Sequence, residues 1–472
     1  MSSFVIAKLA NLLSQDEKLS NPLGKRPLTG EATGRAAQRP KRAAAAVQRY
    51  SAPVTSRMRS VLGLLGPSVV TGAADDDPCA IGTYAKTGAA FGFSLLWMVP
   101  LVFPMMAASV YLSSKIGMVS GMGIAGVLRN YYSRWLLYPV IAALLVANII
   151  GAAADIGAIA ASLRLIMPIP ASLIIIAVTF LIIGMLTWGT YSRLQKTFKW
   201  LALALFAYVG AGFLANPDWT VVGMGTALPR LRLNADYLGM IVAMIGTSLS
   251  PYLFFWQASQ EVEEEMAIGR HHVWQRRGAS DHELRYAAFD VNAGMIFSCL
   301  IIYFIVVCTA ATLFRAGQHN IDSAYAAAQA LRPLAGRAAA WLFAAGVVGV
   351  GILAVPVLTT GPAYALAEAF DWKHSLDHRP EHARQFYAVI IVSTLVAMGL
   401  NFVGINPIHA LFWAGVVEGL LTPPLLLMIM LITNNPEIMG KHVNSRALNV
   451  LGWLSTATTS AAAVGLIWSW IR

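Results

Sequence analysis

Apolar residues in this chain run on for roughly 17 to 31 positions at a time, separated by short polar and basic loops. Each run brackets the ~20 residues that a helix needs to cross a hydrocarbon core. Eleven such windows stand out, near 61–88, 91–114, 135–162, 170–189, 195–215, 237–262, 286–314, 338–368, 386–402, 407–433 and 449–471. Two of them are defective as plain helices. The first reads "GAADDDPCAIG" and is interrupted at Asp75 to Pro78; the sixth, "GMIVAMIGTSLSPYLFFWQASQEVEEE", is interrupted at Gly246 to Pro251. Proline removes a backbone donor and disfavours a helical residue before it. Each interruption therefore frees backbone groups that lipid cannot satisfy, and such backbone persists at membrane depth only beside protein or water.

Composition strengthens this picture. Of 472 residues 57% are hydrophobic and 12% charged, against roughly 25% charged in soluble domains, which makes the chain a polytopic membrane protein. With the amino terminus on the cytoplasmic side, the inner segments carry 26 of the 34 Lys and Arg residues, as the positive-inside rule requires. Residues 1–60 hold 11 basic residues against three acids. They read as a disordered cytoplasmic tail with no signal-peptide core, and a contact with anionic lipid headgroups is the functional alternative. The net charge of +11 needs no nucleic acid to explain it. Cys79, Cys299 and Cys308 fit neither a disulfide framework nor a zinc site.

The acidic triplet Asp75, Asp76 and Asp77 is the most informative feature. One carboxylate at a helix centre costs about 2.5 to 3.5 kcal/mol on insertion scales, so three must face a cavity, a partner or a cation. The two interruptions lie five spans apart, the mark of a transporter built from inverted repeats with its substrate site at their interface.

The run "GPSVVTGAADDDPCAIGTYAKTGAAFGFSLLW" resembles the first two spans of the NRAMP (natural resistance-associated macrophage protein) family of divalent-metal transporters, whose usual motif there is Asp-Pro-Gly-Asn. The resemblance extends over residues 61–433, a ten-helix transport core, with 434–472 supplying a loop and an eleventh helix. It implies an all-α, LeuT-like 5+5 inverted-repeat bundle. Asp77 and Pro78 match the motif, while Cys79 and Ala80 stand for its Gly and its ligand Asn. In span six the family's Met-Pro-His falls on Ser250, Pro251 and Tyr252; in span three Asp155 matches one acid of a pair and Ala158 stands for the other. These departures resemble the NRAMP-related magnesium transporter branch.

Ligand chemistry points the same way, because carboxylate, carbonyl, hydroxyl and water suit Mg and Mn whereas thioether and thiolate suit softer ions. Mg²⁺ is usually held by one or two carboxylates with several waters retained. The expected metal site is Asp77, the carbonyls of Ala74 and Thr247, and the Ser250 hydroxyl. Asp76, Asp75, Ala80, Cys79, Tyr252, Asp155, Glu418 and Gln257 would form its surroundings or the ion path. Alternatives attend several of these. Asp77 is also a good helix cap, Cys79 is either a soft ligand or a small filler, and Asp155 is either part of a proton route or a plain acceptor. Glu418 either lines the site or pairs with a backbone donor; the family's Gln ligand falls near Gly415. Asp290 and Glu368 read as solvated span ends. Glu261, Glu263, Glu264 and Glu265 read as a solvated helix end or as a cation-attracting vestibule.

No histidine cluster, phosphate loop or nucleophile motif is present, so an enzyme is not expected, nor is a cofactor. The expected function is movement of hydrated Mg²⁺, with Mn²⁺, across a cell (inner) membrane by alternating access and without proton coupling, by a monomer. The alternatives are a proton-coupled Mn²⁺/Fe²⁺ importer, an amine or amino-acid carrier of the same architecture, and a non-transporting sensor.

Overall fold

The computed structural model describes residues 67–188, 205–229, 231, 234–321, 328, 336, 339–376, 380–404 and 406–471. The basic tail, the first six residues of the first expected span and the first ten of the fifth lie outside them. The described residues are helical throughout: α1 (Pro67–Asp75), α2 (Pro78–Phe91), α3 (Met98–Ser120), α4 (Ile124–Tyr131), α5 (Arg134–Leu163), α6 (Ala171–Trp188), α7 (Phe206–Leu214), α8 (Trp219–Ala227), α9 (Ala235–Ser248), α10 (Pro251–Ala267), α11 (Val273–Arg276), α12 (Asp281–Thr309), α13 (Ala339–Ala369), α14 (Arg384–Leu400), α15 (Pro407–Thr433), α16 (Pro436–Met439) and α17 (Arg446–Ile471). Among the described residues, 8 helices are long and apolar enough to cross a membrane when α9 and α10 are taken as one.

Both expected interruptions are present, and both are narrow. Span one breaks at Asp76 and Asp77 alone. Span six remains helical through Gly246, Thr247 and Ser248 and breaks only at Leu249 and Ser250, so the interruption is shorter than the sequence suggested. Gly246 explains why α9 stays regular there. Its bare Cα lies against the Gly415 carbonyl and the Gly419 backbone of α15, and the two helices pack closely along this line. The second span also starts later than expected. A 3-10 turn over Gly92–Leu95 follows α2, which ends on Gly92 at φ 58, a left-handed conformation that glycine adopts without a Cβ penalty.

The apolar interior falls into two principal zones. One gathers residues of α2, α3, α9, α12 and α15; the other gathers α1, α5, α6, α13 and α14. The break in span one lies where the chain passes from one zone to the other, because Ala73 and Ala74 belong to the second and Cys79 and Ala80 to the first. In the most apolar windows of α6 and α17 only 33% of residues are buried. Leu173, Phe180, Val464 and Trp468 are among those left uncovered, as lipid-facing positions should be.

Candidate metal site

Asp77 carries the N-terminus of α2. Its carboxylate accepts from the Ala80 N–H at 2.7 Å, the capping geometry that satisfies one of the orphan donors of a first helical turn. Asp155 of α5 takes the neighbouring donor, the Cys79 N–H, at 3.2 Å. Two carboxylates thus converge on the positive end of one helix, where the macrodipole favours negative charge. Pro78 at the first helical position has no N–H to lose.

The other half of the site comes from span six. The Tyr252 hydroxyl lies 2.8 Å from the Ala74 carbonyl and 3.2 Å from Asp77 Oδ2, joining α10 to both sides of the break in span one. The Ser250 hydroxyl lies within donating distance of three acceptors, the Thr247 carbonyl at 3.0 Å, the Gly246 carbonyl at 3.2 Å and Glu418 Oε2 at 3.5 Å, and can serve one of them at a time. Neither the Ala74 nor the Thr247 carbonyl is bare, since each already accepts a hydroxyl; a carbonyl oxygen has a second lone pair for a further partner. The Leu249 carbonyl, freed by the break, accepts from Thr422 of α15 at 3.1 Å.

The triplet does not act as a unit. Asp75, Asp76 and Asp77 are all buried, with 0%, 0% and 2% of their surface exposed, yet only Asp77 meets span six. Asp75 Oδ2 and Asp76 Oδ1 instead accept from the Ser298 hydroxyl of α12, at 2.9 and 3.0 Å. Sequence reasoning missed Ser298; its signal, one serine in the apolar run "MIFSCLIIY", is too common in membrane helices to stand out. The Cys79 thiol donates to the Leu411 carbonyl at 2.9 Å, which is how a small filler residue behaves.

Gln257 sits further along α10, in a separate polar chain. It accepts from Thr71 of α1 at 2.7 Å and donates to Glu261 at 2.9 Å, while Ser114 of α3 donates to the same Glu261 oxygen at 2.7 Å. The reading of the span-six glutamates as a solvated helix end is overturned. That holds for Glu261, Glu263 and Glu265, which are buried, while Glu264 stays half-buried; Ser114 of α3 and Tyr364 of α13 bring hydroxyls to the first two, and Arg270 pairs with Glu265 at 2.6 Å. Glu263 accepts from Tyr364 at 2.9 Å and from Ser375 at 2.8 Å.

Asp290 and Glu368 are likewise buried and not solvated. Asp290 accepts the Ser68 N–H at 3.1 Å, and Glu368 accepts those of Gly123 and Gly126, at 2.8 and 2.9 Å. Both carboxylates therefore close helix N-termini of other segments. Nearby, Arg276 donates to the Gly121 carbonyl at 3.1 Å; burial holds its guanidinium below its ordinary range while Glu263, Glu368 and Glu265 pull it back up.

Tyr252, Asp155, Ser250 and Glu418, the side chains placed at the two breaks beside Asp77, all present oxygen, and Cys79 presents a thiol. Among the described residues no three His, Cys, Asp or Glu side chains are grouped as a ready-made metal cluster. One oxygen of each of four carboxylates, Asp75 Oδ1, Asp76 Oδ2, Asp155 Oδ2 and Glu418 Oε1, is buried without a hydrogen-bond partner. Buried carboxylates left this way cost several kcal/mol each unless a counter-charge, a proton or water answers them.

Residues 68–469 match the family description "Natural resistance-associated macrophage protein-like". The chain belongs to the Nramp family. Similar curated relatives are named as the divalent metal cation transporter MntH. That of Deinococcus radiodurans is 26% identical over 416 residues, covering 87% of this chain and 91% of the relative; that of Yersinia enterocolitica is 26% identical over 415 residues, covering 85% and 93%. Among solved structures, the Eremococcus coleocola manganese transporter superposes with a TM-score of 0.69 at 17% identity, covering 88% of both chains. The transporter Mhp1, of the nucleobase-cation-symport-1 family, gives 0.54 at 14% identity over 86% and 92%. These likenesses bear out the resemblance to the family and the LeuT-like inverted-repeat architecture.

Proposed function

We propose that this Nramp-family protein moves hydrated divalent metal ions, Mg²⁺ and with it Mn²⁺, across a cell (inner) membrane by alternating access and without proton coupling. The observation that carries the reading is the donor set. Asp77, the second lone pairs of the Ala74 and Thr247 carbonyls, and the Ser250 hydroxyl are hard oxygen ligands, and no thioether or imidazole takes part. Hard oxygens with few direct carboxylates suit a cation that keeps much of its water. Curated relatives named as divalent metal cation transporters support a metal as the cargo.

Uptake requires no coupling ion. An inside-negative potential contributes about 4.6 kcal/mol per 100 mV to the entry of a divalent charge. Tyr252 stands where the family's usual His would sit, and a tyrosine does not titrate near neutrality. The amino terminus would then be cytoplasmic and the working unit a monomer.

A second reading, a proton-coupled Mn²⁺/Fe²⁺ importer, is favoured by one observation: Asp155 is bonded to the first turn of α2 beside Asp77. Mg²⁺ and Mn²⁺ flux into proteoliposomes containing a pH dye separates the two. Entry of both ions with no luminal acidification supports the first reading. Acidification during Mn²⁺ entry, with Mg²⁺ neither entering nor competing, sinks it. Uptake of a labelled amine that chelator leaves untouched would sink both.

A further inference from the structure

We infer that Asp75, Asp76 and Ser298 form a second cation position, beside α12 and distinct from the one at Asp77. The inference rests on the metal-transport reading proposed above and deepens it from one ion to two.

The first support is a shortage of protons. Asp75 Oδ2 and Asp76 Oδ1 lie 2.9 and 3.0 Å from the same Ser298 hydroxyl. A serine hydroxyl has one hydrogen and donates to one acceptor at a time, so the two carboxylates share a single donor. Their remaining oxygens, Asp75 Oδ1 and Asp76 Oδ2, have no partner at all, and both side chains are 0% exposed. Among the described residues neither carboxylate has an ion pair with a basic side chain.

The second support is independent of the side chains. α1 ends at Asp75, so its last carbonyls and the negative end of its dipole face the break, where a cation is favoured. The Ala74 carbonyl, taken by Tyr252 at 2.8 Å, belongs to the first position and is not counted here.

Geometry separates this position from the first. Asp77 turns toward Ala80 and Tyr252, whereas Asp75 and Asp76 turn toward α12. Consecutive residues at a chain break point in different directions, and here span seven collects one group while span six collects the other. Two carboxylates and a hydroxyl match the charge and the hardness of a dication that retains water. With Asp155 and Glu418 the buried acids near the break number five, enough negative charge for two such ions.

Equilibrium dialysis of the purified full-length protein against radiolabelled Mn²⁺ counts the ions directly. Two Mn²⁺ per chain at saturation are expected, falling to one in Asp75→Asn/Asp76→Asn and to one in Asp77→Asn. Ser298→Ala should weaken one of the two binding phases at least tenfold and leave the other unchanged. One ion per chain in the unaltered protein overturns the second position while leaving the transport reading intact; no bound ion at all overturns both. Should the double variant fail to give a monodisperse protein, the count in the unaltered chain and the Ser298→Ala titration still decide.

Discussion

The Tyr252 hydroxyl stands 3.2 Å from Asp77 Oδ2 across 175 residues of sequence. This contact ties the broken first span to the broken sixth, the kind of discontinuous helices between which inverted-repeat transporters form their substrate site. Because the same hydroxyl is 2.8 Å from the Ala74 carbonyl, both edges of the span-one break are fastened to one side chain.

Asp77→Ala should abolish Mn²⁺ and Mg²⁺ flux in proteoliposomes, since it removes the carboxylate shared by the helix cap and the proposed ion. Loss of the cap alone costs about 1 kcal/mol, so the variant should still purify as a folded protein. Residual flux above a tenth of the unaltered rate would argue against Asp77 as a ligand.

Tyr252→Phe should lower thermal stability by roughly 1 to 2 kcal/mol, the worth of a hydrogen bond that includes a carboxylate acceptor, as read from a melting curve. The flux of this variant should have the same pH dependence as that of the unaltered protein between pH 5.5 and 7.5. A change in the pH profile would show that the tyrosine takes part in proton movement after all.

Gly246→Val should prevent assembly, because any Cβ there meets the Gly415 carbonyl and the Gly419 backbone, neither of which can give way. Overpacking of this kind costs typically 1 to 3 kcal/mol and more when backbone is struck. Gly223→Ala has open space around its Cβ and should express as well as the parent; size-exclusion profiles of the two variants test the contrast.

Glu368→Ala should destabilise the protein by about 2 kcal/mol, since the N–H groups of Gly123 and Gly126 both lose their charged acceptor. Glu368→Gln keeps one acceptor oxygen and should recover part of the loss in thermal melting. No loss in either variant would mean that the cap contributes nothing.

The two interruptions were legible because proline and consecutive carboxylates are local signals that no neighbouring helix can hide. Asp77 as a cap followed from its place before Pro78, and burial of the triplet followed from the cost of exposing it to lipid. The fates of Glu261, Glu263, Asp290 and Glu368 were not legible. Each lies near the end of an apolar window, where solvation is the default, and each is buried because a different segment brings a hydroxyl or an N–H to it. Ser298 was overlooked for the same reason, since its importance comes entirely from the two carboxylates that reach it.

By itself the sequence determined that the chain enters a membrane, that its first and sixth spans cannot be continuous helices, and that negative charge must be housed at the first break. Hydropathy, proline geometry and the cost of a carboxylate in hydrocarbon act over a few neighbouring residues, so the order of residues suffices. Only the tertiary structure decided which donor answers which acid: Tyr252 for Asp77, Ser298 for Asp75 and Asp76, the Cys79 N–H for Asp155. Those partners lie 76 to 223 residues away along the chain, and helix packing alone brings them within hydrogen-bonding distance.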